Sequence, residues 1–165
     1  MLRLSPMTRS DLDEVVKVER QAFTCPWTKS MYQHELEKDD SCYLAVRLNG
    51  SLIGYGGVLI ILEEAHVMTM AVREDFRNMG VATRLMLELI ESAIGMGARF
   101  LTLEVRKSNR PAIGLYRRFG FQIMGERKHY YMDNFENALI MWTEDVKTHE
   151  YQRMLVDLRK DCRIG

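Results

Sequence analysis

The chain has 165 residues, enough for one domain with a substantial core and too few for two ordinary domains. Its 23 basic residues balance 23 acidic ones, so no overall charge predicts binding to nucleic acid or to a membrane surface. Hydrophobic residues make up 47% of the chain, no apolar run is long enough to span a bilayer, and the N-terminal stretch lacks a signal-peptide core. These features predict a single cytoplasmic domain.

Cysteine and histidine usage predicts neither a disulfide framework nor a metal site. The three cysteines are far apart and lack CxxC spacing, and the four histidines form no HExxH-like pair. We expect reduced thiols, structural histidines and no metal cofactor.

Hydrophobic periodicity predicts two helices near the N-terminus, after a short extended start. Thr8 and Ser10 offer N-caps for the first helix, which should end before Pro26. The stretch TKSMYQHELEK predicts a second, shorter helix from Thr28.

The next segment, CYLAVRLNGSLIGYGGVLIILEE, predicts a β-hairpin. Its two β-rich runs are joined by Asn49-Gly50. This pair readily adopts the positive φ angles of a two-residue turn.

The rest of the chain mixes strands with helices. A strand over 65–73 leads into a helix that continues to about Gly95, and RFLTLEV predicts the next strand. KSN then caps another helix, with Pro111 in the first turn, where a missing N–H costs little. Strands near 121–132 and 138–146 precede a last amphipathic helix. This order of hairpins and crossovers predicts an α/β (α+β) fold, in which helices flank a mixed sheet.

The stretch DFRNMGVATRL, at the start of the helix after strand 65–73, has features of an anion site. If the helix begins near residues 78–80, its unpaired first-turn N–H groups and the positive end of its dipole point beyond the strand. Gly80 allows close backbone approach and Arg77 adds positive charge. A plain surface turn has the same features, and this stretch alone does not decide between the two. The sequence contains neither GxxxxGKS/T nor GxGxxG, which argues against a P-loop or dinucleotide site.

A later stretch, LTLEVRKSNRPAIGLYRRFGF, carries three polar groups that could converge. Strand alternation places Glu104 on the face opposite its apolar neighbours, while Asn109 and Tyr116 are two helical turns apart on the following helix. The alternatives are a solvent-facing glutamate, an N-capping asparagine and a packed tyrosine ring.

Together these motifs resemble the GNAT (GCN5-related N-acetyltransferase) superfamily, and most closely its RimI-type and archaeal Nα-acetyltransferases. The acetyl-CoA signature, Arg or Gln followed by x-x-G-x and then Gly or Ala, is matched by residues 77–82. The pattern L-E-V-R-x-S-N-x-x-A-x-x-L-Y-x-x-x-G-F is met by residues 103–121 with one slip, at Gly114. Pro26-Trp27 and Tyr130-Tyr131 also resemble that branch, and the similarity covers roughly residues 1–145.

The resemblance implies a single GNAT-type domain over 1–147 with a mixed seven-stranded sheet, to which the amphipathic helix of 148–165 is appended. It also implies acetyl-CoA as co-substrate, Glu104 as general base and Tyr116 as general acid. Backbone amides at the helix start would bind the pyrophosphate, and the preceding strand would pair with the pantetheine arm. The implied cofactor-binding residues are Met70, Ala71, Val72, Arg77, Asn78, Met79, Gly80, Val81, Ala82, Thr83 and Asn109.

The same resemblance implies a peptide groove between the junction of the first two helices and a late strand. The implied groove residues are Phe23, Pro26, Trp27, Tyr32, Tyr130 and Tyr131. Phe23 fits the core equally well, because it continues the buried stripe of the first helix.

The implied reaction is acetyl transfer to the α-amine of a protein N-terminus, from a ribosomal or another protein. One alternative is acetylation of a small amine such as a polyamine or an amino acid, and another is a non-catalytic acyl-CoA-binding module. The presence of both Glu104 and Tyr116 disfavours the module, and the aromatic groove residues favour a peptide over a small amine. The sequence does not decide the oligomeric state.

Overall fold

Seven strands form one mixed sheet in the computed structural model, which describes residues 1–162. The strands are β1 (Leu2–Pro6), β2 (Ser41–Leu48), β3 (Ser51–Ile61), β4 (Glu64–Val72), β5 (Phe100–Arg106), β6 (Gln122–Arg127) and β7 (Ala138–Trp142). The helices are α1 (Leu12–Ala22), α2 (Lys29–Leu36), α3 (Val81–Gly95), α4 (Arg110–Arg118) and α5 (His149–Asp161). The strands lie in the order β1-β2-β3-β4-β5-β7-β6. The predicted fold class is confirmed.

Strands β4 and β5 form the parallel pair of the sheet, and they stay paired only where both begin. The register joins 64–66 of β4 to 100–102 of β5, whereas every other neighbouring pair is antiparallel. Against β3, the register shifts so that Met68 is an extra residue of β4. Such a bulge bends a strand and increases its twist. Beyond these pairs β4 and β5 continue separately, and a gap opens between them.

Local signals in the sequence set several element boundaries. Asn49 and Gly50 have φ angles of 49° and 88°, so the predicted hairpin turn between β2 and β3 is confirmed. The Thr28 side chain accepts a hydrogen bond from the amide of Met31 at 3.2 Å and caps α2. Asn109 caps α4 in the same way.

The last two strands end earlier than the sequence predicts. β6 stops at Arg127, and the left-handed φ angles of His129 (54°) and Phe135 (57°) turn the chain away from the sheet. Tyr130 and Tyr131 therefore lie in the loop 128–137, and the prediction that they belong to a strand is wrong.

Two hydrophobic clusters cover the two faces of the sheet. The larger cluster includes the buried residues of α3 and Leu103 of β5, and the smaller one lies beneath α1 and α2. Since strand neighbours alternate in direction, Glu104 is on the face opposite Leu103, the face that α1 and α2 cover in part. The core thus leaves the Glu104 face open beyond β4.

Helix α5 packs into the larger cluster through Tyr151, Leu155 and Leu158. The Tyr151 hydroxyl donates to the carbonyl of Phe119, at the end of α4, at 2.7 Å. We propose that the appended segment, of which residues 163–165 lie outside the described part, belongs to the same folding unit.

A pair of substitutions in α5 tests this proposal. Leu155 is 3% exposed and the adjacent Val156 is 54% exposed. Leu155→Ala should lower the free energy of unfolding by about 2–5 kcal/mol, because it leaves a cavity in the core. Val156→Ala should change it by less than about 0.5 kcal/mol. Equal, small effects in urea denaturation would show that α5 is not part of the folding unit.

Candidate active site

The open edge of β4 is the first feature of the site. Met70, Ala71 and Val72 lie beyond the last residue that pairs with β5, while their other edge is held by β3. Backbone N–H and C=O groups on an unpaired strand edge readily bind an extended ligand. This edge is where the family resemblance predicts that the pantetheine arm binds.

The loop after β4 leads into the start of α3. Gly80, the N-cap, has a φ of 81°, and Asn78 has a φ of 61°, so both residues are in the left-handed region. Among the described residues, no side chain caps this helix start. Within residues 1–162 the amides from Asn78 to Thr83 have no partner among the loop and side-chain hydrogen bonds. Free amides at a helix N-terminus are an anion-binding arrangement.

Two arginines provide positive charge near this helix start. Arg77 is exposed beside the loop, and an Nη1 of Arg118 from α4 donates to the hydroxyl of Thr83 at 3.4 Å. The other predicted phosphate-loop residues occupy the loop or the first turn of α3, with Met79 exposed and Val81 buried. The predicted Asn109 is exposed at the N-cap of α4, where its side chain accepts from the amide of Ala112.

Glu104 extends from β5 on the open face of the sheet. Its side chain is 30% exposed and forms an ion pair with Arg127 at 3.0 Å. A hydrogen bond to Glu104 is the largest cause of a raised pKa at Tyr130. The carboxylate therefore has a cation and a phenol near it.

Tyr116 lies on α4 and packs against Phe121, with ring centroids 5.8 Å apart. Burial raises the pKa of Tyr116 to about 12, and the nearby Tyr131 adds to this rise. Burial raises the pKa of Tyr131 to about 12, and the charge of Glu104 adds to this rise. Tyr131 is therefore a common neighbour of the two candidate catalytic residues. At neutral pH the Tyr116 hydroxyl keeps its proton and can donate it.

The predicted groove residues divide into an exposed and a buried set. Phe23 is 38% exposed just after α1, so its side chain is not in the core. Pro26 is exposed and Trp27 is partly buried in the segment that leads to α2. Tyr32 is 0% exposed, since its ring packs between other aromatic rings. It supports the wall from behind and does not line the groove.

A charged bridge, which sequence analysis missed, joins the two walls. The Thr24 hydroxyl donates to Asp133 at 2.9 Å, and Arg106 donates to both oxygens of Asp133 at 3.0 Å. The Arg106 guanidinium also lies over the ring of Tyr131, 3.9 Å from its centroid. Arg106 thereby holds the loop 128–137 against β5. No local pattern links residues so far apart in the chain.

A cavity of about 650 Å³ lies between α1 and the end of β4. Val18, Ala22, Val72, Arg73 and Arg77 are among its lining residues. Neither Glu104 nor Tyr116 lines it, so the cavity lies on the β4 side of the site.

Within residues 1–162 the structure has neither a candidate metal site nor a candidate membrane span. Among residues 1–162 there is no group of three or more His, Cys, Asp or Glu side chains placed to hold a metal ion. No helix in the same part of the chain has the length and apolar character needed to cross a membrane.

The chain belongs to the acetyltransferase (GNAT) family, whose model matches residues 12–121. A Bacillus subtilis (strain 168) protein provisionally named ribosomal protein bS18-alanine N-acetyltransferase is 42% identical over 137 residues, covering 82% of this chain and 91% of that protein. The predicted family is confirmed. The predicted activity, that of an N-acetyltransferase of the type that modifies protein N-termini, is also confirmed.

Solved structures agree with this assignment. The crystal structure of the Escherichia coli ribosomal-protein-S18-alanine N-acetyltransferase has a TM-score of 0.82 and 28% identity, with 91% of this chain and 97% of that one covered. Arabidopsis thaliana NAA60 in complex with acetyl-CoA has a TM-score of 0.78 over 87% of this chain and 99% of that one. At 22% identity the second likeness concerns the fold alone.

The helix start of α3 gives a direct test of cofactor binding. Gly80→Glu should abolish CoA binding in isothermal titration calorimetry, because it places a carboxylate where the pyrophosphate is expected. Gly80→Ala is the matched control, since it shares the left-handed strain of about 1–2 kcal/mol without the charge. Wild-type affinity of Gly80→Glu for CoA would place the pyrophosphate elsewhere.

Proposed function

We propose that this chain transfers an acetyl group from acetyl-CoA to the α-amine of a protein N-terminus, with Glu104 as general base and Tyr116 as general acid. The observation that carries the proposal is the gap between β4 and β5. It offers an unpaired strand edge on one side and Glu104 on the other. Family membership supports acetyl-CoA as the co-substrate.

The α-amine must lose a proton before it can attack the thioester. Its pKa is about 7.7–8.0, so much of it is protonated at neutral pH. Glu104 can accept that proton directly or through one water, within hydrogen-bond reach of the amine. The ion pair with Arg127 helps to hold the carboxylate in place.

Attack on the thioester carbonyl leaves a negatively charged oxygen and then a thiolate. Backbone N–H groups on the open edge of β4, around Met70 to Val72, are donors for the oxygen. Tyr116 supplies the proton that the leaving thiolate needs, since its pKa of about 12 keeps the hydroxyl protonated. The C–S bond then breaks. The protonated amine loses two protons in total: Glu104 passes the first to solvent, and the second balances the proton that Tyr116 gives to the thiol. These steps need no covalent enzyme intermediate.

A peptide fits the groove better than a small amine does. The segment with Phe23, Pro26 and Trp27 faces the loop with Tyr130 and Tyr131, and the Thr24–Asp133 hydrogen bond joins them. Two aromatic walls suit an extended chain whose first residue reaches Glu104. The names of the relatives, which refer to ribosomal protein S18, support a ribosomal protein as the substrate.

The test is acetyl transfer from acetyl-CoA to a panel of short peptides that differ in their first residue, with spermidine and free amino acids as comparison substrates. We expect turnover of peptides only. Turnover confined to the small amines would overturn the peptide proposal.

Two substitutions test the roles of the catalytic pair. Glu104→Gln and Tyr116→Phe should each lower kcat about 100-fold or more. Glu126→Gln is the matched control and should keep wild-type kcat, because Glu126 is on β6 opposite Leu139 and so faces the other side of the sheet. Unchanged kcat in both Glu104→Gln and Tyr116→Phe would refute the assigned roles.

A further inference from the structure

Glu19 is a buried carboxylate outside the site described so far. It lies near the end of α1 and is 2% exposed. Oε1 accepts hydrogen bonds from the hydroxyls of Tyr32 at 2.6 Å and Tyr55 at 2.5 Å, and Oε2 accepts from the backbone amide of Trp27 at 3.0 Å. Three donors from three parts of the chain therefore meet at one side chain.

Such an arrangement is uncommon for a glutamate. A buried carboxylate is costly unless it is paired or fully hydrogen-bonded. Within residues 1–162 no Lys, Arg or His side chain forms an ion pair with Glu19. Both tyrosines have pKa values raised by burial, so they remain protonated donors. The donors therefore stabilise the buried carboxylate, and the carboxylate in turn satisfies the hydrogen-bonding groups of the donors.

The three donors connect the groove wall to the cofactor strand. Trp27 belongs to the exposed segment of the wall, and its ring lies 5.1 Å from that of Tyr32. Tyr55 is on β3 directly opposite Ala71 of β4, one of the residues on the open edge. A shift of Glu19 would therefore move the wall relative to that edge.

We propose that Glu19 is a positioning residue that fixes the Trp27 segment of the peptide groove at its distance from the open edge of β4. The peptide part of this inference rests on the proposed function. Glu19 itself is buried behind the wall and does not touch the substrate. Its effect is on where the peptide lies, and the chemistry at Glu104 is left unchanged.

Fluorescence tests the anchoring without any turnover. Trp27 and Trp142 are the two tryptophans of the chain, so Trp142→Phe makes Trp27 the sole reporter. In that background Glu19→Ala should raise acrylamide quenching of Trp27 at least twofold. Glu19→Gln keeps one oxygen acceptor and should give a smaller rise. Should Glu19→Ala not fold, the rise in Glu19→Gln decides the question.

Kinetics test the positioning role. Glu19→Ala should raise the KM for a peptide at least tenfold, with kcat and the KM for acetyl-CoA within about threefold of wild type. Glu19→Gln should restore part of the peptide KM. Glu14→Ala is the matched control on the same helix, because Glu14 accepts a hydrogen bond from the backbone amide of Leu52, away from the groove. This substitution should change neither the quenching of Trp27 nor the peptide KM.

The outcomes separate the two proposals. Unchanged quenching and peptide KM in Glu19→Ala and Glu19→Gln, with only a lower melting temperature, would overturn the positioning role. If the wild-type chain acetylates no peptide, the proposed function fails, whereas the quenching result still decides whether Glu19 anchors the wall.

Discussion

The separation of β4 from β5 is the constraint on which the rest of the site depends. The two strands pair over three residues each and then part, beside the bulge at Met68. A sheet that stayed paired would use the backbone groups of Met70 to Val72 for its own hydrogen bonds. Because they part, this edge can bind an extended ligand, although the carbonyl of Val72 already accepts a hydrogen bond from Arg77 Nε at 3.2 Å. Glu104 on β5 lies across the gap.

Each wall of the groove is held by an ionisable side chain, which is buried in one wall and more exposed in the other. On the buried side, Glu19 joins α1, α2, β3 and the Trp27 segment through neutral donors. On the exposed side, Arg106 holds Asp133 and stacks on Tyr131. The Arg106 and Asp133 side chains are 28% and 25% exposed, so this wall is held by a partly buried ion pair.

Much of this could be predicted from the sequence, where the determining interactions are local. The Asn49-Gly50 turn, the caps at Thr28 and Asn109 and the glycine before α3 each act within a few residues. The end of β6 was wrongly predicted, since the turn at His129 is held by contacts with Phe135 and Asn137, which strand alternation does not reveal. The Thr24–Asp133 hydrogen bond spans more than a hundred residues and leaves no pattern. Glu19 does have a signal in the sequence, because it occupies the next position on the apolar stripe of Leu12, Val15 and Val16 on α1.

The central claim is that peptide and cofactor meet in the gap between β4 and β5. A crystal structure with a conjugate of CoA and a short peptide tests it most directly. We expect the pantetheine part along Met70 to Val72, and the peptide nitrogen about 3 Å from Glu104 or one water away. The peptide should lie between Trp27 and Tyr131. A conjugate bound with its peptide on the opposite face of the sheet, or with the pantetheine away from β4, would contradict the account.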